Sequence, residues 1–195
     1  MRFSVLAILV GLALAATTTS AAAQQWKTYL SRDLGFSFMA PGEVKAERGT
    51  HRGQRSGEHP AIIFRSMDNN IEYKAIVVDF NARVGEAASL LEEAVVTFQE
   101  GKRTLMDNFG RINNNYGRKS TVDLPNRGGR SMASFYFNRG YLYVMQATVL
   151  PANGDYASPE MARFVDSQVL LMRNMEPGAT ELMLPPEPPN PPGPG

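Results

Sequence analysis

Residues 124–151 read LPNRGGRSMASFYFNRGYLYVMQATVLP and hold two long apolar runs separated by a bend. Ser131 to Phe137 and Tyr141 to Leu150 each alternate between two faces, as β-strands do. Asn138-Arg139-Gly140 between them is typical of a short hairpin loop. Because the side chains on both faces are largely apolar, the pattern favours interior strands covered on both sides over an open aromatic groove.

The bends around these strands carry arginines. Leu124-Pro125-Asn126-Arg127 predicts a tight turn, since Pro suits its second position and Asn tolerates positive φ at its third. Arginines at turns are interpreted as solvated, so we expect them to contribute little to a binding groove.

The same alternation occurs earlier in the chain. Four further strands are predicted, at residues 26–30, 35–41, 61–67 and 71–80. A turn at Arg32-Asp33 joins the first pair, and Asp68-Asn69-Asn70 joins the second pair as a hairpin.

Two segments change to a helical period. The first has an apolar stripe formed by Ala87, Leu90, Leu91, Ala94, Val95 and Phe98. Glu92 and Glu93 point in different directions on that helix and are interpreted as its solvent face. The second helix begins at Ser158-Pro159-Glu160, a sequence that suits a helix N-terminus. An antiparallel β-sheet carrying helices, an α+β arrangement, covers all of these elements most simply.

The N-terminus has the features of a signal peptide. A basic start is followed by an apolar run from Val5 to Ala16 and by small residues at Ala21-Ala22-Ala23. Residues 1–23 are therefore predicted to be removed by cleavage near Ala23/Gln24. We expect a periplasmic or secreted protein with no stable membrane span after processing. The chain has no cysteine, so disulfides cannot stabilise it.

Residues 24–176 form the predicted domain, and residues 177–195 a proline-rich tail. Proline favours extended polyproline II, so the tail is predicted to be disordered. The precursor has a net charge of +1, and removing Arg2 with the leader leaves a neutral chain. A neutral chain is a poor nucleic-acid binder, so no nucleic-acid partner is predicted.

A catalytic constellation is not found in the sequence. There is no cysteine and no G-x-S-x-G elbow, and the two histidines lie in a polar, glycine-rich segment, GTHRGQRSGEHPA at residues 49–61. That segment is predicted to be a mobile loop, which would hold a catalytic base poorly. His51, Glu58 and His59 are candidate metal ligands, but adjacent Glu58 and His59 do not favour convergence. No cofactor and no enzymatic activity are predicted.

A basic run offers candidates for partner binding. Arg118, Lys119, Arg127 and Arg130, with Arg111 before them, could contact an acidic envelope component, although exposed sheet edges carry such charges too.

Three motifs resemble those of PsbP-like proteins. The start of the domain, with Trp26, Tyr29, Gly35-Phe36-Ser37-Phe38 and Pro41, is similar to their opening strands. Leu124 to Arg130 before a tyrosine-rich hairpin resembles their exported bacterial relatives, as does Phe164-Val165-Asp166-Ser167 at the end of the last helix.

The resemblance implies an α/β/α sandwich around an antiparallel sheet and a mostly non-enzymatic role. The roles that it implies are a photosystem accessory, a small-GTPase binder or an uncharacterised envelope protein, and it transfers no catalytic residues. We therefore expect an exported, non-enzymatic binding or accessory module whose partner is a protein or another envelope component. The alternative is a small-ligand or metal-binding periplasmic protein that uses the segment around His51 and His59.

Overall fold

A computed structural model describes residues 25–80, 83–151, 156, 158–170 and 178–187. The predicted signal peptide, residues 1–23, lies outside the described residues. Over the described part, the strands are β1 (Trp26–Ser31), β2 (Phe36–Pro41), β3 (Lys45–Gly53), β4 (Gly57–Asp68), β5 (Ile71–Asp79), β6 (Arg103–Ile112), β7 (Asn115–Asp123), β8 (Arg130–Asn138), β9 (Tyr141–Val149), β10 (Val169–Leu170) and β11 (Thr180–Glu181). The helices are α1 (Ala87–Gln99) and α2 (Pro159–Asp166), with short 3-10 turns at Val84–Glu86 and Pro125–Arg127.

Seven strands form one antiparallel sheet in the order β3-β4-β5-β9-β8-β7-β6. The hairpin predicted from residues 131–150 is confirmed, with Asn138 opposite Tyr141. Arg139 and Gly140 at its turn both have positive φ, 51° and 86°, as a two-residue hairpin turn requires. Asn69 and Asn70 at the turn of the β4–β5 hairpin also have positive φ, 46° and 61°.

Both faces of the β8–β9 pair are buried, as the sequence predicts. On one face Phe135 and Leu142 pack with Leu90 and Val95 of α1. On the other face lie Tyr73, Tyr136, Tyr143 and Met145, together with Met161 and Phe164 of α2. The aromatic residues of this hairpin are therefore core residues, not the lining of a groove.

The cover on the α2 face differs from a simple sandwich of helices. β1 and β2 do not join the large sheet but form a second one, in the order β10-β2-β1-β11. Phe36 and Phe38 of β2 enter the same core as Phe164, with a Phe38–Phe164 ring-centroid distance of 6.0 Å. A helix covers one face, whereas the other face is covered by a helix and a small sheet together.

The predicted start of α2 is confirmed. Ser158 caps the helix by accepting a hydrogen bond from the amide of Glu160, and Pro159 stands in its first turn. Met161, Phe164 and Val165 are buried on the sheet side, so the short helix is held by its cap and its apolar face.

Part of the proline-rich segment packs on the domain. β11 pairs with β1 in parallel, and the Leu182 amide donates to the Leu30 carbonyl at 2.7 Å. Nε and Nη2 of Arg48 donate to the carbonyls of Pro186 and Pro185, each at 2.9 Å. These contacts contradict the prediction that all of residues 177–195 are disordered. The predicted boundaries of the domain, residues 24–176, stay predictions.

Candidate functional site

The segment predicted as a mobile loop around the histidines is the end of the β3–β4 hairpin. His51 lies directly opposite His59, and opposite residues in an antiparallel pair project on the same face. Both rings contact Phe80, with centroid distances of 6.1 Å for His51 and 4.2 Å for His59. The mobile loop was therefore a wrong prediction, because strand pairing and ring packing fix both histidines.

Glu58, the third candidate ligand, does not join the histidines. As the neighbour of His59 in an extended strand it projects on the opposite face, where its carboxylate accepts from Nε of Arg52 at 2.9 Å. Within the described residues, no group of three or more His, Asp or Glu side chains is placed to hold a metal ion. Burial, reinforced by the neighbouring His59, lowers the pKa of His51, so the neutral ring is the favoured form.

The buried carboxylate of this region is Glu93, which the helical period had placed at the solvent face. Its residue exposure is only 6 %. Oε1 accepts hydrogen bonds from the backbone amides of Arg55 and Ser56, the second at 3.0 Å. Burial acts to raise the pKa of Glu93, but these hydrogen bonds outweigh it and hold the pKa below its ordinary value. The carboxylate joins α1 to the tip of the β3–β4 hairpin.

Gly53 allows this carboxylate to approach the hairpin. A Cβ atom at position 53 would lie 2.9 Å from Oε1 of Glu93 and 2.1 Å from Oγ of Ser56. Any side chain there would displace the carboxylate from the amides. The contact is structural, and it explains why a polar, glycine-rich sequence is ordered.

The four basic candidates for partner binding do not form one patch. Arg118 and Lys119 are neighbours in β7 and project on opposite faces: Arg118 contacts Asp107 at 2.5 Å, and Lys119 contacts Asp166 at 2.5 Å. Nε of Arg130 lies 2.8 Å from Asp123. Arg127 is exposed on the turn after Pro125, with a φ of 57°.

Arg118 instead belongs to a surface that we call the aromatic–arginine surface, formed by Phe109, Arg111, Tyr116 and Arg118. Phe109 is 83 % exposed and Tyr116 is 72 % exposed. Across the β6–β7 ladder, Phe109 lies opposite Arg118 and Arg111 opposite Tyr116. The guanidinium carbon of Arg118 lies 4.9 Å from the Phe109 ring centroid, and that of Arg111 lies 5.4 Å from the Tyr116 centroid. Each exposed ring is thus held by a cation–π contact.

A groove of about 350 Å³ separates this surface from α1. Its lining residues are Ala87, Ala88, Leu91, Glu92, Phe109, Tyr116, Gly117, Arg118 and Phe137. The walls are mainly apolar, and Glu92 and Arg118 meet within it at 2.9 Å. The groove therefore combines apolar walls with one ion pair.

Arg118 is fixed in place by acidic partners. Asp107 accepts from Nε and Nη2 of Arg118 at 3.0 and 2.5 Å, and from Gln99 at 2.9 Å. Burial acts to raise the pKa of Asp107, but these donors prevail and hold it below its ordinary value. The arginine is therefore a preorganised wall of the surface and not a free cation.

The aromatic half of this surface was missed in the sequence. Tyr116 lies within the basic run and Phe109 just before it, and neither ring was considered together with the arginines. The signal that could have found the surface is register: pairing β6 with β7 through the turn at Asn113-Asn114 sets each ring opposite an arginine.

A cavity of about 540 Å³ lies elsewhere, between β4, the turn after β1 and the C-terminal segment. Leu34, Arg48, Ile62, Tyr141 and Leu184 are among its lining residues, whereas neither His51 nor His59 is. This cavity therefore does not contain the histidines on which the small-ligand alternative depends. Among the described helices, none combines the length and the apolar character that crossing a membrane requires.

Comparison with known proteins identifies the fold. No protein-family model and no curated protein matches the chain. The structure is similar to the solution structure of cyanobacterial PsbP (CyanoP) from Synechocystis sp. PCC 6803, with a TM-score of 0.53 and 13% sequence identity. The match covers 80% of this chain and 98% of that chain. The chain therefore has the PsbP-like fold, as the three sequence motifs predict.

Proposed function

We propose that this chain is an exported, non-enzymatic binding or accessory module of the bacterial cell envelope, and that it binds a protein partner through the aromatic–arginine surface. The observation that carries the proposal is the exposure of Phe109 and Tyr116, each supported by an arginine. Aromatic residues and arginine are the types that dominate binding energy at protein interfaces.

The geometry supports a protein partner more than a small molecule. Two large exposed rings beside an apolar groove resemble the anchor and pocket of an interface core. Arg118 is already paired with both Asp107 and Glu92, and Arg111 donates to oxygens of Asn113 and Asn114, so neither guanidinium is preset to select an anionic ligand. The PsbP-like fold alone is compatible with many functions, so the proposal depends on this surface.

The test begins with mature protein immobilised and exposed to extract from its native envelope. Proteins retained by the parent and lost with the double variant Phe109→Ser/Tyr116→Ser are identified by mass spectrometry and then purified. Met67→Ser is the matched control, because Met67 is also an exposed apolar residue, 58 % accessible, at a distant hairpin end.

With purified components, calorimetric titration should show at least a tenfold weaker Kd for the double variant, since hot-spot truncations cost about 1.4 kcal/mol or more. Met67→Ser should bind like the parent. Equal affinity of all three proteins would refute the surface as the binding site.

Export is tested separately. The mature protein recovered from the periplasm or medium should have an intact mass that begins at or near Gln24. Recovery of the full precursor in the membrane fraction would contradict the export proposal.

A further inference from the structure

Strand β6 is an open edge of the large sheet. It ends the strand order, and no strand pairs with its outer side among the residues that the structure describes. Most of its ten residues, Arg103–Ile112, are exposed. Such an edge presents unpaired backbone N–H and C=O groups to any strand that approaches. A bulge between Thr104 and Met106 interrupts its beginning, which leaves residues 106–112 as a regular segment.

The charges of this segment are complementary to themselves. Two copies of β6 pair antiparallel around a twofold axis perpendicular to the sheet, so the residue at the axis faces its own equivalent. With the axis at Phe109, Asp107 of each copy, already held by Arg118 of its own chain, lies opposite Arg111 of the other, which in its own chain donates to oxygens of Asn113 and Asn114. Opposite charges facing each other across strands are stabilising.

Other centres along the segment do not give this match. An axis at Asp107 sets that carboxylate against itself and Arg103 against Arg111, and an axis at Arg111 sets two arginines together. Axes at Asn108 or Gly110 pair no opposite charges. The register centred on Phe109 also places the exposed ring of Phe109 opposite the same ring of the second copy.

We propose that the chain forms a twofold homodimer through antiparallel pairing of β6 with β6 of a second copy, centred on Phe109. Two seven-stranded sheets then become one continuous sheet, and Phe109 is covered at the axis. The proposal goes beyond the binding function, because it concerns the edge of the sheet. The dimer takes up Phe109, whereas Tyr116 and the α1 wall of the groove, with Ala87 and Leu91, lie outside the paired residues 106–112, so a partner of the dimer contacts these and not Phe109.

The absence of cysteine from the chain makes the register directly testable. In the full chain, Phe109→Cys places two thiols directly opposite each other, within the range from which disulfides form. Under mild oxidation this variant should give a disulfide-linked dimer several-fold faster than Asn108→Cys, which projects on the other face and lies opposite Gly110. Met67→Cys, at an exposed site far from the edge, measures random collisions.

Equal rates at positions 109, 108 and 67 would overturn the proposal. So would linkage of Cys at position 109 to a different envelope protein and not to a second copy, a result that would indicate a partner strand at this edge.

Charge reversal provides the second measurement. Arg111→Asp sets two like-charged pairs across the dimer, so its dimer dissociation constant from sedimentation equilibrium should be about tenfold higher than that of the parent. Arg103→Asp, the same change on the same strand outside the paired segment, should leave the constant unchanged. A parent protein that is monomeric at every concentration refutes the dimer, and it leaves the proposed partner binding intact because that is measured separately, by titration of the purified partner against the parent, Phe109→Ser/Tyr116→Ser and Met67→Ser.

Discussion

The β3–β4 hairpin and the β6–β7 hairpin stand at opposite edges of one sheet, and they place charge and apolar groups in opposite ways. At the first, the carboxylate of Glu93 is 6 % exposed, and at the second, the ring of Phe109 is 83 % exposed. The buried carboxylate is compensated by two backbone amides, which is the condition for burying a charge. The exposed ring contacts Arg118 on one face and stays largely accessible, so its apolar surface remains available to another molecule.

The largest expected effect compares two phenylalanines on the same side of the sheet. Phe135 is 2 % exposed in the core and Phe109 is exposed at the edge. Phe135→Ala should lower the free energy of unfolding by about 3–5 kcal/mol, as for buried aromatic truncations. Phe109→Ala should change it by no more than about 0.5 kcal/mol, as at a surface site. Urea unfolding of both variants measures the difference.

Tyr143→Ala is the second core variant, because Tyr143 is 3 % exposed and its hydroxyl donates to the Leu34 carbonyl at 2.8 Å. It should be destabilised in the same range. If both core variants unfold like the parent, the covered interior of β8–β9 is wrong and the contrast between the centre and the edges disappears.

The next effect concerns Glu93. Glu93→Ala leaves the amides of Arg55 and Ser56 without their acceptor, at a cost of about 2–3 kcal/mol in unfolding free energy. Glu92→Ala is the matched control on the same helix, since Glu92 makes a half-exposed ion pair with Arg118 and such pairs contribute less than about 1 kcal/mol. Similar losses for the two variants would show that the hairpin does not depend on the buried carboxylate.

The sequence predicted the centre of the sheet better than its edges, for a physical reason. In β8 and β9 the side chains of both faces are apolar, so the local pattern alone implies cover on both sides. At the β3–β4 hairpin the order comes from Glu93, whose amide partners stand 37 and 38 residues away. Alternation and helical periodicity describe residues close together in the chain, so neither pattern predicts such a distant contact. For this reason Glu93 was assigned to the solvent face and residues 49–61 to a mobile loop.

The aromatic–arginine surface was hidden for a related reason. Phe109 and Tyr116 are seven residues apart in the chain, and only the β6–β7 register sets each opposite an arginine. A sequence read residue by residue shows a basic run, whereas the fold divides that run between two faces and several acidic partners. Arg118 was a candidate because of its charge, whereas the structure places it on the proposed surface through its contact with the Phe109 ring; its role in partner binding stays a prediction.

A smaller effect is expected from pH at the histidine pair. The folded-state pKa of His51 is lowered below its ordinary value of 6.5, so the unfolded chain takes up the proton first on acidification. This contribution to stability is complete above pH 6.5 and is lost as the pH falls below that value towards the lowered folded-state pKa. Urea midpoints at pH 7.5 and 5.5 should therefore differ more for the parent than for His51→Gln. An equal difference for both proteins would show that His51 does not contribute to the pH dependence of stability.

The C-terminal segment gives the last and smallest effect, at the β3 edge of the sheet. Arg48 of β3 holds the carbonyls of Pro185 and Pro186 through one fork of two hydrogen bonds, and just before them Leu182 is bonded to Leu30. Because these contacts are exposed and local, Arg48→Ala should change the global free energy of unfolding by no more than about 0.5 kcal/mol. Local opening of the segment should nevertheless become more frequent, since the loss of two hydrogen bonds is worth up to about tenfold in that equilibrium.

Hydrogen exchange at the Leu182 amide measures this opening, with Arg139→Ala at the distant β8–β9 turn as the control that should leave the rate unchanged. Arg48→Lys should behave like Arg48→Ala, because an ammonium cannot reproduce the guanidinium fork. If exchange at Leu182 is the same in all of these proteins, Arg48 does not hold the segment.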